Sequence, residues 1–72
     1  MEQKVIEIIS AISKLPIDKL VSNKDTEKLW ESITHVEIVI ALEEEFDISF
    51  EQEEIAQMTS VSKIIELVGN KV

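Results

Sequence analysis

The stretch Trp30-Glu31-Ser32-Ile33-Thr34-His35 gathers a hydroxyl, a carboxylate directly before it and an imidazole three residues after it. On a helix Ser32 and His35 come within reach of each other, as a nucleophile and its base would. No third residue is evident to orient the histidine, and no glycine-built oxyanion hole is available, so a hydrolytic pair is disfavoured. A plainer role exists for the same side chains. Serine is among the best N-cap residues, and Glu31 before it complements the positive end of a helix dipole. His35 is then a first-turn residue packed at the edge of the core.

Other chemistries are bounded by composition. The 72 residues include no cysteine, one histidine and one glycine, Gly69. A disulfide framework and a thiolate metal site are therefore out of reach, and one histidine without a carboxylate cluster argues against zinc. The calcium-loop pattern of alternating Asp/Asn followed by glycine is missing too. No metal site is expected. A chain of this length folds as one small domain, 1–72, burying only around 60% of the surface its unfolded form exposes. That leaves little room for a catalytic cleft beside a core, and a non-enzyme is expected. The N-terminal residues lack the apolar core of a signal peptide, and no apolar run approaches membrane-spanning length, so a cytoplasmic monomer is the expectation.

The net charge of −8 is unevenly placed. Nine acids (Glu31, Glu37, Glu43, Glu44, Glu45, Asp47, Glu51, Glu53, Glu54) lie between Leu29 and Ser62, where there is no lysine. The rest of the chain is close to neutral. Nucleic acid is a poor partner for such a surface, because phosphates demand the opposite sign. A basic protein surface fits it, since complementary charge speeds encounter and orients docking. Any one of these glutamates also serves simply as a solvated helix residue.

The elements that must position these residues read as helical throughout, an all-α four-helix bundle. Val5, Ile8, Ile9, Ile12 and Leu15 share one face of a first helix, which Pro16 ends. From Pro16 to Leu29 the pattern is polar and irregular, a long loop pinned by Ile17, Leu20 and Val21 with a turn at Ser22-Asn23-Lys24-Asp25. A second helix is predicted from about Ser32 to Phe46. Its β-branched middle could pass for a strand, but Ala41-Leu42-Glu43-Glu44-Glu45 continues it with strong helix formers. Ser49-Phe50-Glu51-Gln52 has the spacing of a capping box and opens a short third helix toward Gln57. Thr59 or Ser60 caps a last helix whose inner face is Val61, Ile64, Ile65 and Val68, with Gly69-Asn70 as its stop.

At 100° per residue, Val39, Leu42 and Phe46 form the core stripe of the second helix, flanked by Ile38 and Val36. Ile33 and Ile40 fall a third of a turn away or more, interleaved with Glu37 and Glu44. Branched apolar side chains among carboxylates suit a docking surface with an apolar centre and a charged rim. Single exposed isoleucines are also common and need no partner.

The run from Ser32 to Phe46 resembles the second helix of acyl carrier proteins, in which an Asp-Ser-Leu motif opens the helix and a Val-Glu-Leu-Val-like run leads into Leu-Glu-Glu-Glu-Phe. The likeness continues through Asp47-Ile48-Ser49-Phe50, through Glu54-Ile55-Ala56-Gln57-Met58-Thr59-Ser60-Val61 and into an amphipathic ending. It covers about residues 29 to 68; the first helix matches only in pattern. Trp30-Glu31-Ser32-Ile33-Thr34-His35 looks like the Trp-Asp-Ser-Leu-Thr-His variant of free-standing carriers, often associated with specialised or polysaccharide pathways.

The resemblance implies that Ser32 is the attachment point of 4′-phosphopantetheine, transferred from coenzyme A by a magnesium-dependent phosphopantetheinyl transferase. The thiol of that arm would hold an acyl intermediate as a thioester, for fatty acid, polyketide or polysaccharide-related biosynthesis. Glu31, Ile33, Glu37, Ile40 and Glu44 would present the surface that partner enzymes with basic docking faces read. Two residues depart from the family pattern: Glu31 stands for aspartate and Ile33 for leucine. Slower modification, or dependence on a particular transferase, is what those departures imply. Trp30, where many carriers have a small residue, is read as filling the junction of loop and core rather than shielding the arm. An aminoacyl or peptidyl carrier shares the cofactor and architecture, and an acidic helical adaptor without a prosthetic group is the alternative from another class.

Overall fold

The computed structural model describes residues 1–72 as five helices without a strand: α1 (Glu2–Ser13), α2 (Ile17–Ser22), α3 (Ser32–Phe46), α4 (Gln52–Gln57) and α5 (Val61–Lys71). The helical bundle expected from the sequence is present, folded into 26 × 22 × 18 Å. α1 is its centre, packing against α2, α3 and α5. Its Val5, Ile6 and Ile9 join Ile38, Val39 and Leu42 of α3 and Val61, Ile64 and Val68 of α5 in one buried cluster, closed by Leu20, Phe50 and Met58.

The long first connection is not all loop. Residues Ile17–Ser22 form α2, because Ile17, Leu20 and Val21 have the spacing of a helical turn and Leu20 is fully buried. Pro16 stands at its N-cap, where a missing N–H removes no helical bond, and its carbonyl accepts from Leu20 N–H at 3.1 Å. Before it, α1 stops at Ser13, and Lys14 takes a left-handed φ of 67° to donate to the Ser10 carbonyl at 2.9 Å. The remainder of the connection is tied down at its far end. Ser62 N–H donates to the Lys24 carbonyl at 3.0 Å, and Lys28 N–H to the Thr59 carbonyl at 2.9 Å.

Two helix-end expectations are corrected and one holds. The capping box of α4 is made by Glu51 and Glu54, not from Ser49: Glu51 N–H donates to Glu54 Oε1 at 2.8 Å. A glutamate at each end satisfies the reciprocal bonding that serine usually begins. Ser60 does cap α5, accepting from Lys63 N–H at 3.3 Å. Gly69-Asn70 does not end it, and the helix runs to Lys71. Gly69 has no positive φ, so the left-handed stop that favours glycine is not used. Lys71 instead pairs with Glu54 at 3.0 Å and sits 5.6 Å from the Phe50 ring centroid, fastening the last turn to α4.

Candidate functional site

α3 positions the residues of interest and runs over the predicted span, Ser32–Phe46. The detail at its head differs by one residue. Glu31 is the N-cap, with φ −77° and ψ 164°, and Ser32 is the first helical residue. Neither side chain caps the helix. The N-cap role weighed for Ser32 is therefore corrected: its side chain is exposed and makes no bond to the backbone of the helix it heads. A hydroxyl in that position is available to an external reagent and sits beside the positive end of the helix dipole.

His35 is occupied elsewhere. The Trp30 indole Nε1–H donates to His35 Nδ1 at 3.0 Å, and His35 Nε2 lies 2.9 Å from the Ile55 carbonyl. A carbonyl only accepts and an indole N–H only donates, so the pair of bonds assigns the proton to Nε2. The two rings are near-parallel at 14° with centroids 6.3 Å apart, meeting edge to edge as that bond requires. With both nitrogens engaged, the imidazole is not set to take a proton from Ser32. It bridges α3 to α4, which is a firmer role than packing at the core edge. The tryptophan does fill the junction of loop and core, half-buried against the central cluster.

Beside Ser32 lies an open groove of ≈ 500 Å³ between the head of α3 and α4. Trp30, Val36, Ile55 and Ala56 give it apolar walls, while Lys28, Glu31, Gln52 and Thr59 line its polar parts.

Down the same side of α3 the structure brings together Ile33, Val36 and Ile40, exposed by 71%, 53% and 50%. The helical angle places Val36 on the flank of the core stripe, but in the structure it belongs to this outer face, three residues from Ile33 and four from Ile40. Its contribution to a docking face was missed because its angle on the helix is intermediate. Ile38 takes the core position and is fully buried. Glu31, Glu37 and Glu44 are also exposed, and none is among the four ion pairs, which join Lys4 to Glu45, Lys24 to Glu2, Lys63 to Glu27 and Lys71 to Glu54. Three isoleucine and valine side chains thus lie among carboxylates that no lysine neutralises.

No group of three or more His, Cys, Asp or Glu side chains is arranged to hold a metal ion. No helix is long and apolar enough to cross a membrane. No protein-family model matches the chain. An acyl carrier protein of Buchnera aphidicola subsp. Schizaphis graminum (strain Sg) is 33% identical over 73 residues, an overlap covering 99% of this chain and 92% of that one. Another acyl carrier protein, from Buchnera aphidicola subsp. Acyrthosiphon pisum (strain 5A), is 44% identical over 41 residues, 57% of this chain and 51% of its own.

Proposed function

The chain belongs to the acyl carrier protein family, and from that premise we propose that it carries an acyl group on a 4′-phosphopantetheine arm joined through a phosphodiester to Ser32. The observation that carries this reading is the exposed Ser32 side chain, left out of helix capping at the head of α3. The residues around it suit such a group. Unused backbone donors at a helix N-terminus favour a phosphate, and the groove beside Ser32 offers apolar wall to a chain leading away from it. When bound, the arm supplies the thiol that holds the acyl group as a thioester.

The chain's own part is to present, orient and be recognised. Glu31 and Ile33 flank the serine and are the first side chains a phosphopantetheinyl transferase meets. Ile33, Val36 and Ile40 form the apolar centre of a docking face, with Glu31, Glu37 and Glu44 as its rim against basic partner surfaces. No catalytic group is needed on the carrier itself, and His35, the one side chain suited to act as base beside Ser32, is turned to Trp30 and Ile55. The name of the relatives supports an acyl cargo over an aminoacyl one.

Intact mass after incubation with coenzyme A, magnesium and a broad-specificity transferase tests this. The expected result is a phosphopantetheine-sized gain that Ser32→Ala abolishes. No gain with several transferases would favour an acidic adaptor that binds basic partners without a prosthetic group.

A further inference from the structure

We propose that His35 is a positioning residue for Ser32, and that its proton state decides whether the head of α3 is held as seen here. Its consequence for modification rests on the reading of Ser32 given above; its geometry does not.

The bond from Trp30 to His35 closes a ring around the first turn of α3, with Glu31 and Ser32 inside it. The backbone bond from His35 N–H to the Glu31 carbonyl at 2.9 Å closes a smaller ring within the first. His35 is anchored from the far side by Ile55 of α4, and Lys28 is anchored by its N–H on Thr59. Of the residues between those two anchors, the non-helical 29–31 carry one side-chain hydrogen bond, from the Trp30 indole to His35. Packing of Leu29 and Trp30 against the central cluster holds this segment to the core, and the indole bond ties it to α3, orienting Glu31 and Ser32.

The bond exists only in the neutral imidazole. Protonation turns Nδ1 into a donor that faces the indole N–H, so two donors oppose each other and the bond is lost. The Ile55 bond has the opposite response, because a charged donor to a carbonyl is strengthened. One proton thus releases Trp30 while leaving His35 on α4. The charged groups that share the groove with the imidazole are Lys28 and Glu31, both from the connection before α3. The groove residues from α4 are Gln52, Ile55 and Ala56, and Thr59 follows it; none is charged, and α1 and α5 contribute none. Lys28 and Glu31 are opposite in sign, so the switch responds to the donor clash rather than to one dominating neighbour.

The chain contains one tryptophan and one histidine, so each side-chain NMR signal identifies itself. The first measurement follows the Trp30 indole N–H and the His35 ring protons of the unmodified protein between about pH 8 and pH 5. The indole signal is expected to move in step with the imidazole and to lose its protection from solvent exchange. An indole signal that stays put while the ring protonates overturns the proposal. The second measurement is the modification rate by mass over the same range, for the wild type relative to His35→Gln, which cancels the transferase's own pH response. The wild type is expected to fall by about fivefold against the variant as the ring protonates, the scale of one lost hydrogen bond. Trp30→Phe, lacking the donor, should show no such fall, and serves if the glutamine variant proves misfolded by circular dichroism. A ratio that is flat with pH in the wild type overturns the positioning role. Absence of any modification at every pH would instead sink the reading of Ser32, while the NMR result would stand on its own.

Discussion

Phe50 N–H donates to the Glu43 carboxylate at 2.8 Å, joining the fourth-from-last residue of α3 to the turn that leads into α4. Glu43 lies in a run of three glutamates that looks uniform in the sequence. The fold separates them. Glu43 holds the turn, Glu45 lies 3.9 Å from Lys4 across an exposed surface, and Glu44 projects outward with no ion pair. Asp47, in the left-handed region at φ 54°, ends the helix, and Ile48 N–H reaches back to the Glu43 carbonyl at 3.1 Å.

The three glutamates should therefore differ in their cost on removal. Glu43→Ala is expected to destabilise by about 1.5–3 kcal/mol, the range for hydrogen bonds to a charged group. Glu44→Ala should stay within about 0.5 kcal/mol, as surface substitutions do. Urea denaturation midpoints compare them directly. Equal midpoints for the two variants would mean that the Phe50 bond contributes nothing in solution.

The two serines at helix heads should separate in the same way. Ser60 is 2% exposed and caps α5, so Ser60→Ala is expected to cost about 1 kcal/mol. Ser32→Ala removes no cap, and its stability should lie within about 0.5 kcal/mol of the wild type while its modification disappears. A Ser32→Ala protein as destabilised as Ser60→Ala would return that hydroxyl to a structural role.

Much of this was legible before the structure. The extent of α3, the inner face of α5 and the exposure of Ile33 and Ile40 follow from period and helix propensity, which are local. The misreadings share a different cause. α2 is one turn and a half long, too short for periodicity to stand out from an irregular loop, although Pro16 and the spacing of Ile17, Leu20 and Val21 were a usable signal. Ser32 and Ser49 were both favoured as caps by residue type, yet glutamates take the N-cap positions, because where the chain turns into a helix is set by tertiary contacts as well as by local preference. The bridge from Trp30 through His35 to Ile55 was not legible at all. Its last partner is a backbone carbonyl twenty residues away, and every residue type supplies one.

Acid should weaken the fastening between α4 and α5. The Glu51 backbone N–H, and after it Lys71, hold the Glu54 carboxyl below its ordinary value of 4.5. A carboxyl with a lowered folded-state pKa stabilises the fold above the unfolded value, and that contribution is lost as pH falls through the folded one. Glu54→Gln should thus be less stable than the wild type at neutral pH, with the gap closing below pH 4.5. The difference between the two proteins is the quantity to follow, since protonating the unpaired glutamates elsewhere relieves repulsion in both. Glu2, bonded to Lys24, and Glu27, bonded to Lys63, are lowered likewise and titrate in both proteins alike. Thermal or urea denaturation at several pH values measures the gap, and one that persists in strong acid would contradict the assignment.

The outer face of α3 gives the sharpest contrast between charge that serves solubility and charge that serves docking. Glu37 and Glu44 lie on the side of the helix that carries Ile33, Val36 and Ile40, and neither belongs to an ion pair whose loss would disturb the fold. Glu37→Lys with Glu44→Lys should therefore leave the helical circular dichroism signal intact. If the face meets basic partner surfaces, the same double change turns attraction into repulsion, and loading of the carrier by a partner enzyme should slow by about tenfold or more at low salt. Added salt should narrow that difference, because exposed charges are screened over about 10 Å at 0.1 M ionic strength. The apolar centre makes a separate contribution. Ile40→Ala should raise dissociation of a partner with little change in its salt dependence, since it removes contact area and no charge. Loading kinetics of the Glu37 and Glu44 double variant that match the wild type at low salt would take both glutamates out of the docking face and leave them as ordinary solvated residues.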